Sequence, residues 1–195
     1  MIKEENNINK CLIDRINYLE NKNNIKLSNT QKILLTTDGS ITAILDVLYN
    51  KITLKTINQH VEKANKEVSN HFNIDESEEV NNRTIIMHKD DKPLIFAKSY
   101  IPLSRINKEI KDSLMTEDIP IGRILKNYKL ETRREIGDIE VIKSEPELEE
   151  IYKTDDDFLS RNYDIIHNNE KIMWIQEMFP ISYFREYLED RKSVV

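Results

Sequence analysis

Two stretches of the sequence read as β-hairpins, and they restrict the chain to folds built on antiparallel strands. In the first, a largely apolar arm at 84–88 and a second arm at 94–101 flank Lys89-Asp90-Asp91-Lys92. Aspartate accepts left-handed backbone and bonds its own main chain, so this tetrapeptide is turn chemistry. In the second, the arms 158–167 and 171–179 flank Asn168-Asn169-Glu170, and Pro180 closes the segment. Hairpins pair antiparallel, which predicts an α+β fold: one antiparallel sheet of about six strands with helices packed on one face.

Helical spacing fills the region before the first hairpin. Ile8, Cys11, Leu12, Ile16 and Leu19 predict an amphipathic helix over 7–19. Ser28 or Thr30 then caps a short helix carrying Ile33, Leu34 and Leu35. The segment Thr36-Thr37-Asp38-Gly39-Ser40 interrupts it, with Gly39 free to take positive φ, and Ile41, Ile44, Leu45 and Leu48 form the stripe of a third helix. Residues 51–64 suit a strand and 75–82 a polar loop. After the first hairpin, Ser104 caps a helix to 114, and Pro120 with Gly122 makes a turn able to present bare amides. Residues 128–143 read as a strand pair or one strand bent at Gly137-Asp138, 145–152 as a short helix with Pro146 in its first turn, and Ser182 as the cap of a last helix. No linker divides the 195 residues, so one domain over 1–195 is expected, with a helical N-terminal part at 1–35.

Composition removes several functions. A net charge of -6 without a dominant basic face opposes nucleic-acid binding. The single cysteine, Cys11, cannot form an internal disulfide, and no apolar run is long enough to cross a bilayer, so a cytoplasmic, membrane-free protein is expected. The 3 glycines are too far apart to write a dinucleotide or P-loop motif, and the 4 histidines are scattered, so no metal is expected.

What remains is a set of charged residues inside apolar strands: Arg83, Lys98 and Glu177. Buried ionised and alone, Glu177 within IMWIQEMFP would cost several kcal/mol. It therefore points to solvent, pairs with a cation, or becomes an acid of raised pKa. Strand alternation equally allows all three to be surface residues. Arg123, Arg133 and Arg134 are further cations that a solvated face explains as well.

Four ordered segments carry a resemblance: LLTTDGSIT (34–42), RTIIMHKDDKPLIFAKSYIP (83–102), IPIGRIL (119–125) and WIQEMFP (174–180). With this spacing the chain resembles chorismate pyruvate-lyase, in its divergent archaeal and bacterial branch. That family converts chorismate into 4-hydroxybenzoate and pyruvate. The resemblance implies the same sheet-and-helix fold, a small buried pocket and no cofactor. It puts the carboxylate-binding arginine at Arg83 and the acidic residue at Glu177, as candidate catalytic residues, and backbone contacts to substrate at Ile41 and Ile121. A second family arginine falls on Lys98, where a lysine keeps the charge and loses the planar fork. A different function on the same fold is the sensing of an aromatic carboxylate, as in the effector domains of GntR-type regulators, although no basic recognition helix precedes the hairpin here. A catalytically dead homologue, or one redirected to another aromatic acid, is a third reading that Lys98 keeps open. Chorismate is the expected partner, and oligomeric state is not readable.

Overall fold

The two hairpins sit side by side in the middle of one sheet. A computed structural model describes residues 11–116 and 118–185. The helices are α1 (Leu12–Asn23), α2 (Asn29–Thr36), α3 (Ile41–Tyr49), α4 (Lys66–Phe72), α5 (Lys108–Thr116), α6 (Ile121–Asn127) and α7 (Pro146–Tyr152). The strands are β1 (Thr53–Lys63), β2 (Glu79–Lys89), β3 (Lys92–Pro102), β4 (Arg133–Ile142), β5 (Phe158–His167) and β6 (Glu170–Pro180). Their order is β1-β2-β3-β6-β5-β4 and every pairing is antiparallel. The expected α+β class and six-stranded sheet therefore hold. The last predicted helix, from Ser182, and the start of the first lie largely outside the described residues.

Both hairpins carry one extra residue, and this decides which side chains share a face. In the first, Lys89 pairs with Lys92 and His88 with Pro93, but Met87 pairs with Ile95, leaving Leu94 as a bulge. In the second, Ile166 pairs with Lys171 and Ile165 with Met173, leaving Ile172. The turns use the expected geometry: Asp90, Asn168 and Asn169 all have positive φ. A one-residue register change moves every later side chain to the other face. Here it sets Arg83 opposite Ser99 and Arg161 opposite Glu177.

On the face bearing these residues lie two apolar clusters. Leu34, Leu35 and Leu45 from α2 and α3, with Ile16 and Leu19 from α1, pack on Ile85, Ile95, Leu159 and Phe179. Ile110 and Leu114 from α5, with Ile124 and Leu125 from α6, pack on Tyr163, Met173 and Ile175. Each fully buried leucine stabilises the fold by roughly 1.5–3 kcal/mol. The helices are not confined to this face, contrary to the sequence expectation. Leu148 and Tyr152 of α7 cover Phe96, Phe158 and Met178 on the reverse side, and Val68 and Phe72 of α4 cover its other end near Tyr100 and Trp174. Apolar residues at both parities of β2, β3, β5 and β6 require cover on both faces.

Local chemistry fixes the helix starts. Ser28 and Gln31 form a reciprocal capping box on α2, and the Gln31 amide donates to the carbonyls of Ile181 and Tyr183, tying down the chain after β6. Ser40 caps α3 by accepting from the Ala43 N–H. The α5 cap is Asn107, which accepts from the Ile110 N–H, rather than Ser104, whose hydroxyl binds Glu78. Gly39 does not use positive φ. Of the segment 128–143, residues 133–142 form one bent strand, β4: Gly137 and Asp138 oppose Asn162, whose side chain accepts from the Asp138 N–H.

Candidate functional site

At the seam between the two apolar clusters, the first residues of α3 and α6 meet the middle of the sheet. The pocket they enclose is lined by Ile41, Arg83, Ile121, Arg134, Tyr163 and Glu177, with Ser99 and Ile175 in its floor. Four of the five residues singled out from the sequence, Arg83, Glu177, Ile41 and Ile121, are thus brought together. Ile41 and Ile121 each occupy the first turn of a helix, where backbone N–H groups have no intrahelical acceptor.

Lys98 is the exception and the correction. An unbulged first hairpin would set Lys98 directly across from Arg83; the extra Leu94 puts Ser99 there instead. Lys98 lies on the reverse face, 3.9 Å from Glu147 and 5.4 Å from the Phe96 ring centroid. It cannot share an anion with Arg83 through the sheet.

Arg83 is buried. Its guanidinium donates to the Ile119 carbonyl at 3.2 Å and to the Thr56 hydroxyl at 3.3 Å. Burial lowers its pKa from the usual arginine value, partly opposed by the charge of Asp118. The guanidinium remains charged near neutral pH, since arginine starts so far above it.

Glu177 takes the second of its three alternatives: it is buried and paired with a cation. The Arg161 Nε donates to one carboxylate oxygen at 2.8 Å, and the Tyr163 hydroxyl donates to the other at 3.3 Å. Arg161 also donates to the Thr37 carbonyl at 2.6 Å, while its second Nη is buried with no hydrogen-bond partner. Tyr163 lies under both guanidinium groups, with Arg161 at 4.9 Å and Arg134 at 5.8 Å from its ring centroid. Burial first, then the Glu177 charge, pushes the Tyr163 phenol well above its ordinary pKa, so it stays a donor.

Arg161 and Arg134 are the residues sequence reasoning missed or left on the surface. A two-residue turn at Asn168-Asn169 alone would set Ser160 across from Glu177; the Ile172 bulge shifts the pairing to Arg161. The signal was the need of a buried Glu177 for a cation on its neighbouring strand. Arg134, on β4, reaches the pocket beside Gly122 of α6. Its Nη1 donates to the Asp38 carbonyl at 3.2 Å. Arg123 and Arg133 are surface cations, paired with Asp46 and Glu135.

The chemical sum is a pocket lined by two guanidiniums, with one carboxylate already offset by Arg161. Among the described residues no cluster of His, Cys, Asp and Glu could hold a metal ion, and no helix is long and apolar enough to cross a membrane. The fold and pocket set a cation-rich concavity at the middle of an antiparallel sheet. The chain belongs to the Rv2949c-like chorismate pyruvate-lyase family, whose model matches residues 35–188. It is 37% identical over 162 residues to "Putative lyase MJ0807" of Methanocaldococcus jannaschii, covering 80% of each chain. Solved structures share the fold at low identity. One is the "ligand-binding domain of a putative GntR-family transcriptional regulator" from Bordetella bronchiseptica, with a TM-score of 0.58, 11% identity, and coverage of 74% of this chain and 91% of that one. Another is PhnF from Mycobacterium smegmatis, with a TM-score of 0.62, 9% identity and coverage of 74% and 65%.

Proposed function

We propose that this protein is a chorismate lyase that eliminates pyruvate from chorismate to give 4-hydroxybenzoate, without a cofactor. The observation that carries this reading is the charge of the pocket: Arg83 and Arg134 line it, and Arg161 offsets its carboxylate, Glu177, inside a chain of net charge -6. Chorismate is a dianion, with one carboxylate on the ring and one on the enolpyruvyl ether. Arg83 takes one carboxylate by charge-assisted hydrogen bonds, and Arg134 takes the role first assigned to Lys98.

In the reaction the C–O bond to the enolpyruvyl group breaks, the proton on the neighbouring carbinol carbon is lost, and the new double bond completes the aromatic ring. That proton is transferred to the departing enolpyruvyl group, which leaves as pyruvate, so atoms balance without an added reagent. Glu177, ion-paired with Arg161 and hydrogen-bonded by Tyr163, accepts a hydrogen bond from the ring hydroxyl and so orients the carbinol carbon. The ion pair supports this orienting role over that of an acid. Aromatisation supplies the drive, and the protein contributes orientation and exclusion of water. As it stands the cavity, about 40 Å³, has room for a few waters. Chorismate is larger than this cavity, so its binding requires the pocket walls to move apart.

The alternative, sensing of an aromatic carboxylate, is favoured by the regulator domains that share the fold. Incubation with chorismate, following pyruvate and 4-hydroxybenzoate, separates the two. Both products in equal amount are expected; 4-hydroxybenzoate binding without turnover selects the sensor, and full activity in Arg83→Ala removes the proposed site.

A further inference from the structure

The reverse face of the sheet holds a second, larger concavity, a trough of about 530 Å³ between α4 and the bend of β4. Its floor is the cross-strand pair Tyr100 and Trp174, whose rings lie 5.9 Å apart and tilted by 34°. His71 of α4 stands edge-on to Trp174 at 6.4 Å. The floor stays partly exposed, because α4 packs against one side of the Tyr100–Trp174 pair and α7 covers the opposite end of this face.

The polar groups around this floor come as donor and acceptor side by side. Asp164 accepts from His71 at 2.6 Å and from Lys171 at 2.8 Å. Asp138 lies next to the Asn162 amide, at 3.5 Å. Gln176, also in the trough lining, spends its amide nitrogen on the Ser160 hydroxyl. The charges nearly cancel: Glu67, Asp138 and Asp164 stand against Lys98 and Lys171, with His71 beside them. A carboxylate ligand would meet three acids here, and a cation two lysines. A hydroxyl both donates and accepts, so adjacent hydroxyls match adjacent acid–amide and acid–ammonium pairs. The apolar C–H face of a saturated ring then rests on Trp174 and Tyr100, the usual arrangement of a mostly apolar floor with a few convergent polar groups.

The geometry points to this trough as a binding site for a neutral polyhydroxylated ring, a monosaccharide or cyclitol, separate from the inner pocket and independent of the lyase reading. Trp174 is the chain's single tryptophan, so its emission reports the trough directly. Titration of the full chain with glucose, galactose, mannose and myo-inositol should give a saturable emission change with at least one of them. So few contacts imply a dissociation constant on the order of millimolar. Saturation-transfer NMR with the responding sugar should show binding weakened about fivefold or more in Asp138→Ala, where one exposed hydrogen-bonding group is removed. Trp174→Ala, if it folds, should abolish it. Absence of a saturable response to all four probes overturns the assignment, as does undiminished binding in Asp138→Ala. Displacement of the response by benzoate or adenosine also overturns it, assigning the trough to a planar aromatic ligand.

Discussion

The two faces of this sheet are written in the same strands, one residue apart, and carry opposite chemistry. Ser99, Arg161, Tyr163, Ile175 and Glu177 form a dry face sealed by helices, while Lys98, Asn162, Asp164, Trp174 and Gln176 form a half-exposed one. On the dry face a charge is tolerated only when paired or pinned by carbonyls; on the other, water shares the work. Residue type therefore says less about role than strand parity does.

The largest expected effect breaks the dry face chemically. Arg83→Ala should lower kcat/KM for pyruvate release about 100- to 1000-fold, the loss of a desolvated charge-assisted contact. Lys98→Ala should change it less than about twofold, because an exposed pair contributes little; a large loss there would undo the assignment of faces. Next, Glu177→Gln should destabilise the protein by about 3–5 kcal/mol in urea titrations, since Arg161 is left buried without a counter-charge. Combining it with Arg161→Met should cost less than the sum of the two changes.

Gly137→Ala tests the bend that walls the reverse face. Its Cβ would overlap the Asn162 Oδ1 and push that amide off the Asp138 N–H, so a loss of about 1–3 kcal/mol is expected in thermal unfolding. The smallest effect is a pH effect. His71 and Lys171 hold the Asp164 pKa below the ordinary carboxylate value despite the opposing effect of burial. A depressed carboxylate stabilises above its unfolded-state pKa, near 4, and that stability is lost as pH falls through the lower folded value. Asp164→Asn should therefore flatten the acid limb of the stability curve, and leave its shape above pH ~6 unchanged.

Much of this was legible from residues. Asp90 and the Asn168-Asn169 pair marked both turns, Ser28, Ser40 and Pro146 marked helix starts, and the quoted segments pointed to Arg83, Glu177, Ile41 and Ile121, which share the pocket. What escaped was register. Neither Leu94 nor Ile172 announces itself as a bulge, for each is an ordinary apolar residue buried in an apolar strand. Without them Lys98 joins Arg83 and Ser160 faces Glu177, so Lys98 was misplaced and Arg161 overlooked. Arg134 escaped for another reason: its guanidinium meets the pocket beside Gly122, twelve positions away in sequence and adjacent only in the fold.

The paired bulges also constrain how the chain can vary in length. Each bulge lies between its turn and the pocket, so gaining or losing one residue there would swap the inner and outer sets of side chains on that arm. Two residues would restore them. Among relatives that keep the pocket, length differences between the Asp90-Asp91 turn and Ser99, or between the Asn168-Asn169 turn and Glu177, should come in even steps. The pocket's ancestry would then be visible as a counting rule even where none of its side chains is shared.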